Sequence, residues 1–187
     1  MINDVELIKK IANRDPAAFD IFYDQYARLV FSLCWRILGD EADAEEVTQE
    51  VFVQIWKTAD RFDPDRGSVR TWLFTIARSR SLDRWGSRKV VQDRMDQSNL
   101  LSLEEIPGQS DLEDVTVLRH YVINALSKLT DKQRTALELL YYRGLTHEEI
   151  ALRLDEPVGT IKSRLHSALI QLRSALSSTK RKKRDKS

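Results

Sequence analysis

The residues of this sequence that could do chemistry are clusters of charged side chains at helical spacing. Carboxylates gather in "DEADAEEVTQE", arginines recur every fourth residue at Arg80, Arg84 and Arg88, and "TIKSRLHS" combines cationic, hydroxyl and imidazole groups. Carboxylates bind cations and basic surfaces, whereas cationic and hydroxyl side chains bind phosphates and base edges. These patterns predict recognition of charged partners.

Catalysis and metal binding find little support in the same residues. His120, His147 and His166 show no metal-ligand spacing with one another, and the chain has no phosphate-cradling glycine loop or nucleophile motif. The carboxylates of "DEADAEE" could in principle bind a hard cation, but no second segment supplies carboxylates to face them. We therefore expect no enzymatic activity, no metal site and no cofactor.

The composition is typical of a soluble chain. Of 187 residues, 42% are hydrophobic and 32% are charged. No apolar run approaches the roughly 18 residues of a membrane span, and the N-terminus is charged where a signal peptide needs an apolar centre. Cys34 is the only cysteine, which excludes an intramolecular disulfide. We expect its side chain to be a small buried apolar group and not a reactive thiol. We expect a cytoplasmic protein without membrane insertion.

Charge is unevenly distributed along the chain. The net charge is +1, yet residues 118–187 hold 15 Lys and Arg against 7 Asp and Glu, a local excess of +8. Such an excess favours a polyanionic partner. Six of these basic residues lie in "KRKKRDKS", which either contacts nucleic acid or is a solvated end.

Helical periodicity dominates the first half, and no persuasive alternating strand pattern is present. "AAFDIFYDQYARLVFSLCWRILG" predicts a core helix that stops at Gly39, and a second helix follows the acidic turn "DEAD". After the loop "DRFDPDRGS", a third helix carries the arginines on one face. The residues expected to face the core from the last two helices are Val47, Val51, Ile55, Val69, Trp72, Leu73 and Ile76.

The predicted fold is all-α, with two small helical domains joined by a flexible linker. Residues 1–92 form the N-terminal domain, and residues 93–111 lose the periodicity and gather Ser, Gln, Pro and Gly, as linkers do. Residues 112–176 form a four-helix C-terminal domain with a helix-turn-helix around Pro157. Residues 177–187 form the basic tail.

The helix after Pro157 has a polar face that suits the DNA major groove. Capping-box pairs, Thr130 with Gln133 and Thr146 with Glu149, begin the two helices before it. A plain helical hairpin with a solvated polar face is the alternative. The side chains expected to face inward are Ile161, Leu165, Ala168, Leu169 and Leu172, and those expected to face outward are Lys162, Ser163, His166, Ser167 and Arg173, with Arg164 at the flank.

Two ordered parts of the chain resemble one known family. The stretch "LTDKQRTALELLYYRGLTHEEIALRLDEPVGTIKSRLHSALIQLR" is similar to the promoter-binding C-terminal domain of RNA polymerase sigma factors of the extracytoplasmic-function (ECF) group. The stretch from "AFDIFYDQYARLVF" through "GSVRTWLFTIARSRSLDRW" resembles that family's N-terminal domain. The likeness covers about residues 5–174 and implies binding to core RNA polymerase and to promoter DNA.

The resemblance implies a polymerase-binding role for the acidic helix. In this family the segment that matches "DAEEVTQEVFVQIW" docks on the clamp helices of the largest polymerase subunit. By itself, a solvated acidic face would explain the same pattern. The implied acidic and amide contacts are Asp43, Glu45, Glu46, Gln49 and Glu50, with Phe52 and Trp56 as apolar anchors.

The resemblance also implies that "RFDPDRGS" and the helix after it open the minus-ten promoter element. Melting needs a cationic groove for the single strand and a pocket for a flipped base. Many family members have asparagine where this chain has Ser79. Trp72 is expected in the core, whereas Trp85 is divided between core packing and base stacking. The residues implied for this element are Phe62, Ser79, Arg80, Asp83, Arg84 and Arg88.

The remaining implied contacts are to the minus-thirty-five element and to a regulator. Since the sequence shows no sensor domain, the resemblance implies an anti-sigma factor that holds the protein inactive. His166 stands where other members often have an aromatic residue or arginine. The residues implied to bind the duplex are Lys162, Ser163, Arg164, His166 and Ser167.

Two other classes of protein remain open. A conventional helix-turn-helix regulator would account for the C-terminal domain but would leave the acidic and arginine-bearing helices without a task. A helical scaffold with a basic tail would leave both domains unexplained. Promoter-dependent transcription with core polymerase separates the three.

Overall fold

The computed structural model describes residues 3–89 and 123–184, with side chains up to residue 87 in the first range and residue 175 in the second. The chain divides into two compact units, Met1–Gly108 and Gln109–Ser187. All regular structure in the described ranges is helical, so the all-α prediction is confirmed. The predicted linker lies outside the described residues.

Four α-helices and two short 3-10 turns build the described part of the first unit. The first helix was not predicted from the sequence, and it places Leu7, Ile8 and Ile11 in the core. The helices are α1 (Asp4–Ala12), α2 (Pro16–Leu38), α3 (Glu41–Thr58) and α4 (Val69–Lys89), and the turns are Ala59–Arg61 and Pro64–Arg66.

Local capping sets where α2 and α3 begin and end. The Asp15 side chain accepts hydrogen bonds at the start of α2, and Gly39 ends it in the left-handed conformation. The Asp40 side chain then accepts the Asp43 N–H, so α3 begins at Glu41. The stretch "DEAD" is therefore the cap and first turn of α3 and not a turn before it. Acidic residues there also stabilise the helix dipole.

The core of the first unit lies where α2, α3 and α4 pack together, with α1 against α2 and α3. The predicted inward residues of α3 are all buried. On α4, Val69 and Leu73 are buried, whereas Trp72 and Ile76 are half-buried and pack against the same core. Cys34 is fully buried, as predicted, and burial raises the pKa of its thiol.

The described part of the second unit contains α5 (Asp131–Tyr142), α6 (His147–Leu154) and α7 (Val158–Arg184). Both predicted capping boxes are present, at the starts of α5 and α6. Only residues 123–126 represent the first of the four predicted helices. The backbone of α7 stays helical through Arg184, which lies within the predicted basic tail, residues 177–187. No helix in the described ranges is long and apolar enough to cross a membrane.

The inward face of α7 is narrower than the sequence analysis predicted. Ile161, Leu165 and Ala168 are buried, and Leu172 is half-buried. Leu169 is 50% exposed, so its predicted inward orientation is wrong for the described structure. The reason is angular: the buried residues follow steps of four and three, and Leu169 falls at the edge of their stripe.

Candidate protein and nucleic-acid interfaces

One side of α3 carries acidic and amide side chains that are exposed to solvent. Glu45, Glu46 and Gln49 are exposed, and Glu50 is half-exposed. Asp43 differs from them because its side chain is only 8% exposed. This face therefore offers acidic and amide groups to a partner, while Asp43 lies beneath it.

Phe52 belongs to the core and not to this face. Its side chain is 2% exposed, and its ring contacts those of Phe22 and Tyr23 at centroid distances of 6.2 and 4.7 Å. This burial corrects the expectation that Phe52 is an apolar anchor for a partner. Because α3 packs against both α2 and α4, its buried arc is wider than one stripe.

Trp56, the second expected anchor, is half-buried at the end of α3. Phe19 meets its ring edge-on at a centroid distance of 5.2 Å. The Arg14 guanidinium lies 5.6 Å from the ring centroid and also donates to the Trp56 carbonyl. These contacts fix the ring while part of it stays accessible.

Arg84 is surrounded by carboxylates of α3. Its Nη1 lies 2.8 Å from Glu46 Oε2 and 3.4 Å from Asp43 Oδ1, and its Nη2 lies 2.9 Å from Glu50 Oε1. The hydrogen bond to Glu46 is the largest cause that raises the pKa of Arg84 above its usual range. Residues assigned separately to polymerase and to DNA are therefore in direct contact.

Arg80 continues this contact one turn earlier on α4. Its Nε donates to Gln54 Oε1 at 2.8 Å, and its Nη1 lies 3.7 Å from Glu50 Oε2. Ser79 and Asp83 are exposed. The side chain of Arg88 lies outside the described residues, so the predicted stripe of three arginines is described at two positions.

An aromatic pair connects the loop before α4 with the first turn of that helix. The rings of Phe62 and Trp72 are 5.4 Å apart between centroids and tilted by 51°, and both side chains are half-buried. The Asp63 side chain accepts the Asp65 N–H and shapes the following 3-10 turn. Phe62 therefore packs on Trp72 at the edge of the core, with part of each ring exposed.

The start of α4 is tied to α1 and α2 by a polar network that the sequence analysis missed. The Tyr26 hydroxyl donates to Asp4 Oδ2 at 2.7 Å and accepts from Arg70 Nε at 3.1 Å. Burial, followed by the hydrogen bond to Asp4, raises the pKa of Tyr26 to about 12. No local pattern could have identified this network, since its members lie on different helices.

The helix-turn-helix presents most of the predicted DNA-facing side chains. Lys162, Ser163, His166 and Ser167 are exposed on α7. The Lys162 ammonium lies 3.8 Å from Glu148 Oε1 of α6, and Ser163 Oγ donates to the Thr160 carbonyl at 3.0 Å. These side chains occupy the first turns of the helix, where a major-groove reader makes base contacts.

The Arg164 side chain extends from α7 and is held against the turn between α6 and α7. It is 12% exposed and its Nη2 contacts Glu156, just after α6. Lys132 of α5 lies 3.6 Å from the other Glu156 oxygen. The hydrogen bond from Arg164 is the largest cause that lowers the pKa of Glu156. One carboxylate thus connects α5, the turn and α7.

Comparison with known proteins identifies relatives over most of the chain. Residues 22–90 match the family model Sigma-70 region 2, and residues 125–174 match Sigma-70, region 4. The ECF RNA polymerase sigma factor SigK of Mycolicibacterium vanbaalenii is 38% identical over 173 residues, which cover 91% of this chain and 87% of that protein. SigK of Mycobacterium tuberculosis is 36% identical, with 91% of each chain covered.

Solved structures are also similar. SigE of Rhodobacter sphaeroides, solved in complex with the anti-sigma ChrR, is 34% identical and has a TM-score of 0.46. The match covers 91% of this chain and 96% of that one.

Proposed function

The chain belongs to the ECF group of sigma-70 family RNA polymerase sigma factors, and from this membership we propose that it binds core RNA polymerase and directs promoter-specific transcription initiation. The observation that carries the proposal is the ordered match of region 2 and region 4 within one chain that is 38% identical to a SigK over 91% of its length. A helix-turn-helix regulator would account for the second match alone. The resemblance inferred from the sequence is confirmed.

Polymerase docks on the exposed acidic face of α3. Glu45, Glu46 and Gln49 supply charge and amide groups, and the accessible part of Trp56 supplies an apolar edge. An acidic face complements a basic partner surface and raises the rate of association as well as its specificity. Asp43 and Phe52 support this face from beneath.

Promoter DNA is bound by both units. The pair formed by Phe62 and Trp72, together with the exposed Ser79 and Asp83, marks the surface for the melted minus-ten strand. In the second unit, Lys162 and its exposed neighbours on α7 bind the minus-thirty-five duplex. The family consists of initiation factors that are not enzymes, so phosphodiester chemistry belongs to the polymerase. Because the proposed partners are core polymerase and promoter DNA, the site of action is the cytoplasm.

A separate anti-sigma factor holds the protein inactive by covering these surfaces. Apolar side chains beside the acidic face support this part of the proposal. Tyr23 is 40% exposed, and its ring contacts that of Phe52. Val53, the residue after Phe52, is 50% exposed. Co-purification from unstressed cells is expected to recover a stoichiometric inhibitor. Recovery of polymerase alone, with constitutive promoter activity, would count against it.

Reconstitution tests the main proposal. Purified core polymerase with and without this protein is incubated with genomic DNA, and transcript starts are mapped. The protein is expected to create starts that share minus-ten and minus-thirty-five elements. Specific DNA binding without new starts would favour the helix-turn-helix regulator instead.

A further inference from the structure

The geometry points to Arg84 as a positioning residue for the polymerase-facing carboxylates of α3, serving that protein surface rather than promoter DNA. The inference rests on the proposed function, because it assumes that the α3 face binds polymerase. It reassigns Arg84, which the family resemblance grouped with the residues of the melted strand.

The carboxylates around Arg84 come from successive turns of one helix. Asp43, Glu46 and Glu50 are spaced three and four residues apart, which places them on the same side of α3. The two terminal nitrogens of the guanidinium divide them, with Asp43 and Glu46 on Nη1 and Glu50 on Nη2. A planar guanidinium fork can hold several carboxylate oxygens at once, which a lysine ammonium does less well.

Differences in burial show which side chains of this carboxylate cluster are held in place. The side chains of Asp43 and Arg84 are 8% and 25% exposed, whereas that of Glu46 is 60% exposed. Moving Arg84 outward to a phosphate would take a cation away from a carboxylate that solvent barely reaches, and such a loss is costly. The Arg84 side chain, which extends from α4, therefore stays paired with the carboxylates of α3. Glu46 nevertheless remains accessible to a partner.

Arg80 and Arg84 differ in this respect. Arg80 is 44% exposed, and its contacts with described residues are an ion pair with Glu50 at 3.7 Å and a hydrogen bond to Gln54. Releasing Arg80 to DNA costs little, because exposed ion pairs contribute little stability. Arg80 consequently keeps its assignment to the DNA strand, and Glu50 lies between the two arginines.

Positioning matters because the carboxylates repel one another. Without Arg84, like charges at three- and four-residue spacing destabilise the helix face and the side chains spread apart. A partner would then have to order them, and the entropy lost would reduce affinity. With Arg84 in place, Glu46 is still 60% exposed and Glu45 is exposed beside it, so carboxylates remain available to a basic partner.

Binding to core polymerase tests the inference. Full-length wild type, Arg84→Ala and Arg84→Lys are titrated with core polymerase from the same organism. Arg84→Ala is expected to weaken binding by about tenfold and Arg84→Lys by less, because loss of the guanidinium increases the repulsion among the neighbouring carboxylates. Promoter opening, measured by reactivity of unpaired thymines at saturating protein, is expected to match wild type.

Three control variants separate positioning from general destabilisation. Lys9→Ala removes one exposed positive charge from α1. Tyr26→Phe loosens the network at the start of α4, fourteen residues and about 20 Å along the helix from Arg84, without touching the acidic face. Both are expected to bind core like wild type. In a Glu46→Ala, Glu50→Ala background, Arg84→Ala is expected to add a smaller loss than in wild type, because Asp43 is then the one carboxylate of the cluster left beside it.

Distinct results would overturn the inference. Normal core binding by Arg84→Ala combined with defective promoter opening at saturation would assign Arg84 to DNA. A full additional loss in the background without Glu46 and Glu50 would show that Arg84 does not act through them. A wild-type protein that fails to bind core would overturn the proposed function itself, and the inference with it.

Discussion

Arg84 in the first unit and Arg164 in the second are both held by carboxylates from another segment, yet the two contacts have different shapes. Three carboxylates of α3 surround Arg84; Asp43 is buried, whereas Glu46 remains largely accessible. A single carboxylate, Glu156, holds Arg164 where solvent barely reaches it. The first arrangement organises a surface for a partner, whereas the second sets the geometry between helices.

The same difference extends to the neighbouring cations. Arg80 beside Arg84 and Lys162 beside Arg164 are both more exposed than the arginine that they accompany. Each unit therefore combines one arginine held in place with a more accessible cation. We propose that the accessible cations contact DNA and that the held arginines position the elements around them.

Reversing charge on the α3 face is expected to have the largest effect. Glu46→Lys with Glu50→Lys places two cations beside Arg84 and in front of a basic polymerase surface. Core binding is expected to fall by about a hundredfold or more, because like charges at an interface cost several kcal/mol. Titration with core polymerase measures the loss, and circular dichroism checks that the helices remain.

A matched control uses the same charge change on another helix. Asp20→Lys with Asp24→Lys alters two exposed carboxylates of α2 and is expected to leave core binding within a few-fold of wild type. Equal binding by the α3 variant and wild type would show that polymerase docks elsewhere.

Arg164→Ala is expected to have the next largest effect, on both stability and DNA binding. Removing the arginine separates the turn from α7, so the thermal midpoint of the second unit falls by a few degrees. Binding of holoenzyme to mapped and scrambled minus-thirty-five elements is expected to weaken in equal proportion. Weakening on the mapped duplex alone would instead assign Arg164 to base reading, as the family resemblance implied.

Lys162→Ala is expected to weaken DNA binding without lowering the thermal midpoint. Loss of a phosphate contact weakens binding to all duplexes alike and reduces the slope of log affinity against log salt by about one unit. Loss of a guanine contact instead reduces discrimination between the right and the wrong base by about 1–3 kcal/mol. His166→Ala, on the next turn, is expected to change sequence preference more than affinity. Unchanged binding by both variants at every salt concentration would exclude α7 as the reading helix.

The smallest effects are expected from pH, and they have opposite directions in the two units. Arg164 lowers the pKa of Glu156, so this pair stabilises the second unit above the ordinary Glu range and loses its effect as pH falls below it. The pKa of Tyr26 is raised to about 12, so the folded first unit retains the hydroxyl proton and is destabilised as pH rises above about 10, the ordinary pKa of tyrosine.

Thermal melts from pH 3 to pH 11 measure both effects. Glu156→Gln is expected to reduce the acid dependence of the second unit's stability, and Tyr26→Phe the alkaline dependence of the first unit's. Identical pH profiles for wild type and variants would contradict the assigned pairs.

The sequence by itself determined the family, the all-helical fold class and the buried stripe of α3. Spacings such as Val47, Val51 and Ile55 are properties of one helix, and the capping boxes at Thr130 and Thr146 span only four residues. Such patterns can be read locally because a helix repeats every 3.6 residues. The ECF resemblance also needed only ordered motifs along the chain.

Tertiary structure alone decided which charges meet and which apolar residues stay exposed. Arg84 and Glu46 are thirty-eight positions apart, and their contact depends on how α3 and α4 pack. Phe52 is buried because a second helix covers its side of α3, whereas Leu169 lies beyond the stripe that packs. Periodicity gives the direction of a side chain around its own helix, but its partner is set by the crossing of helices distant in sequence.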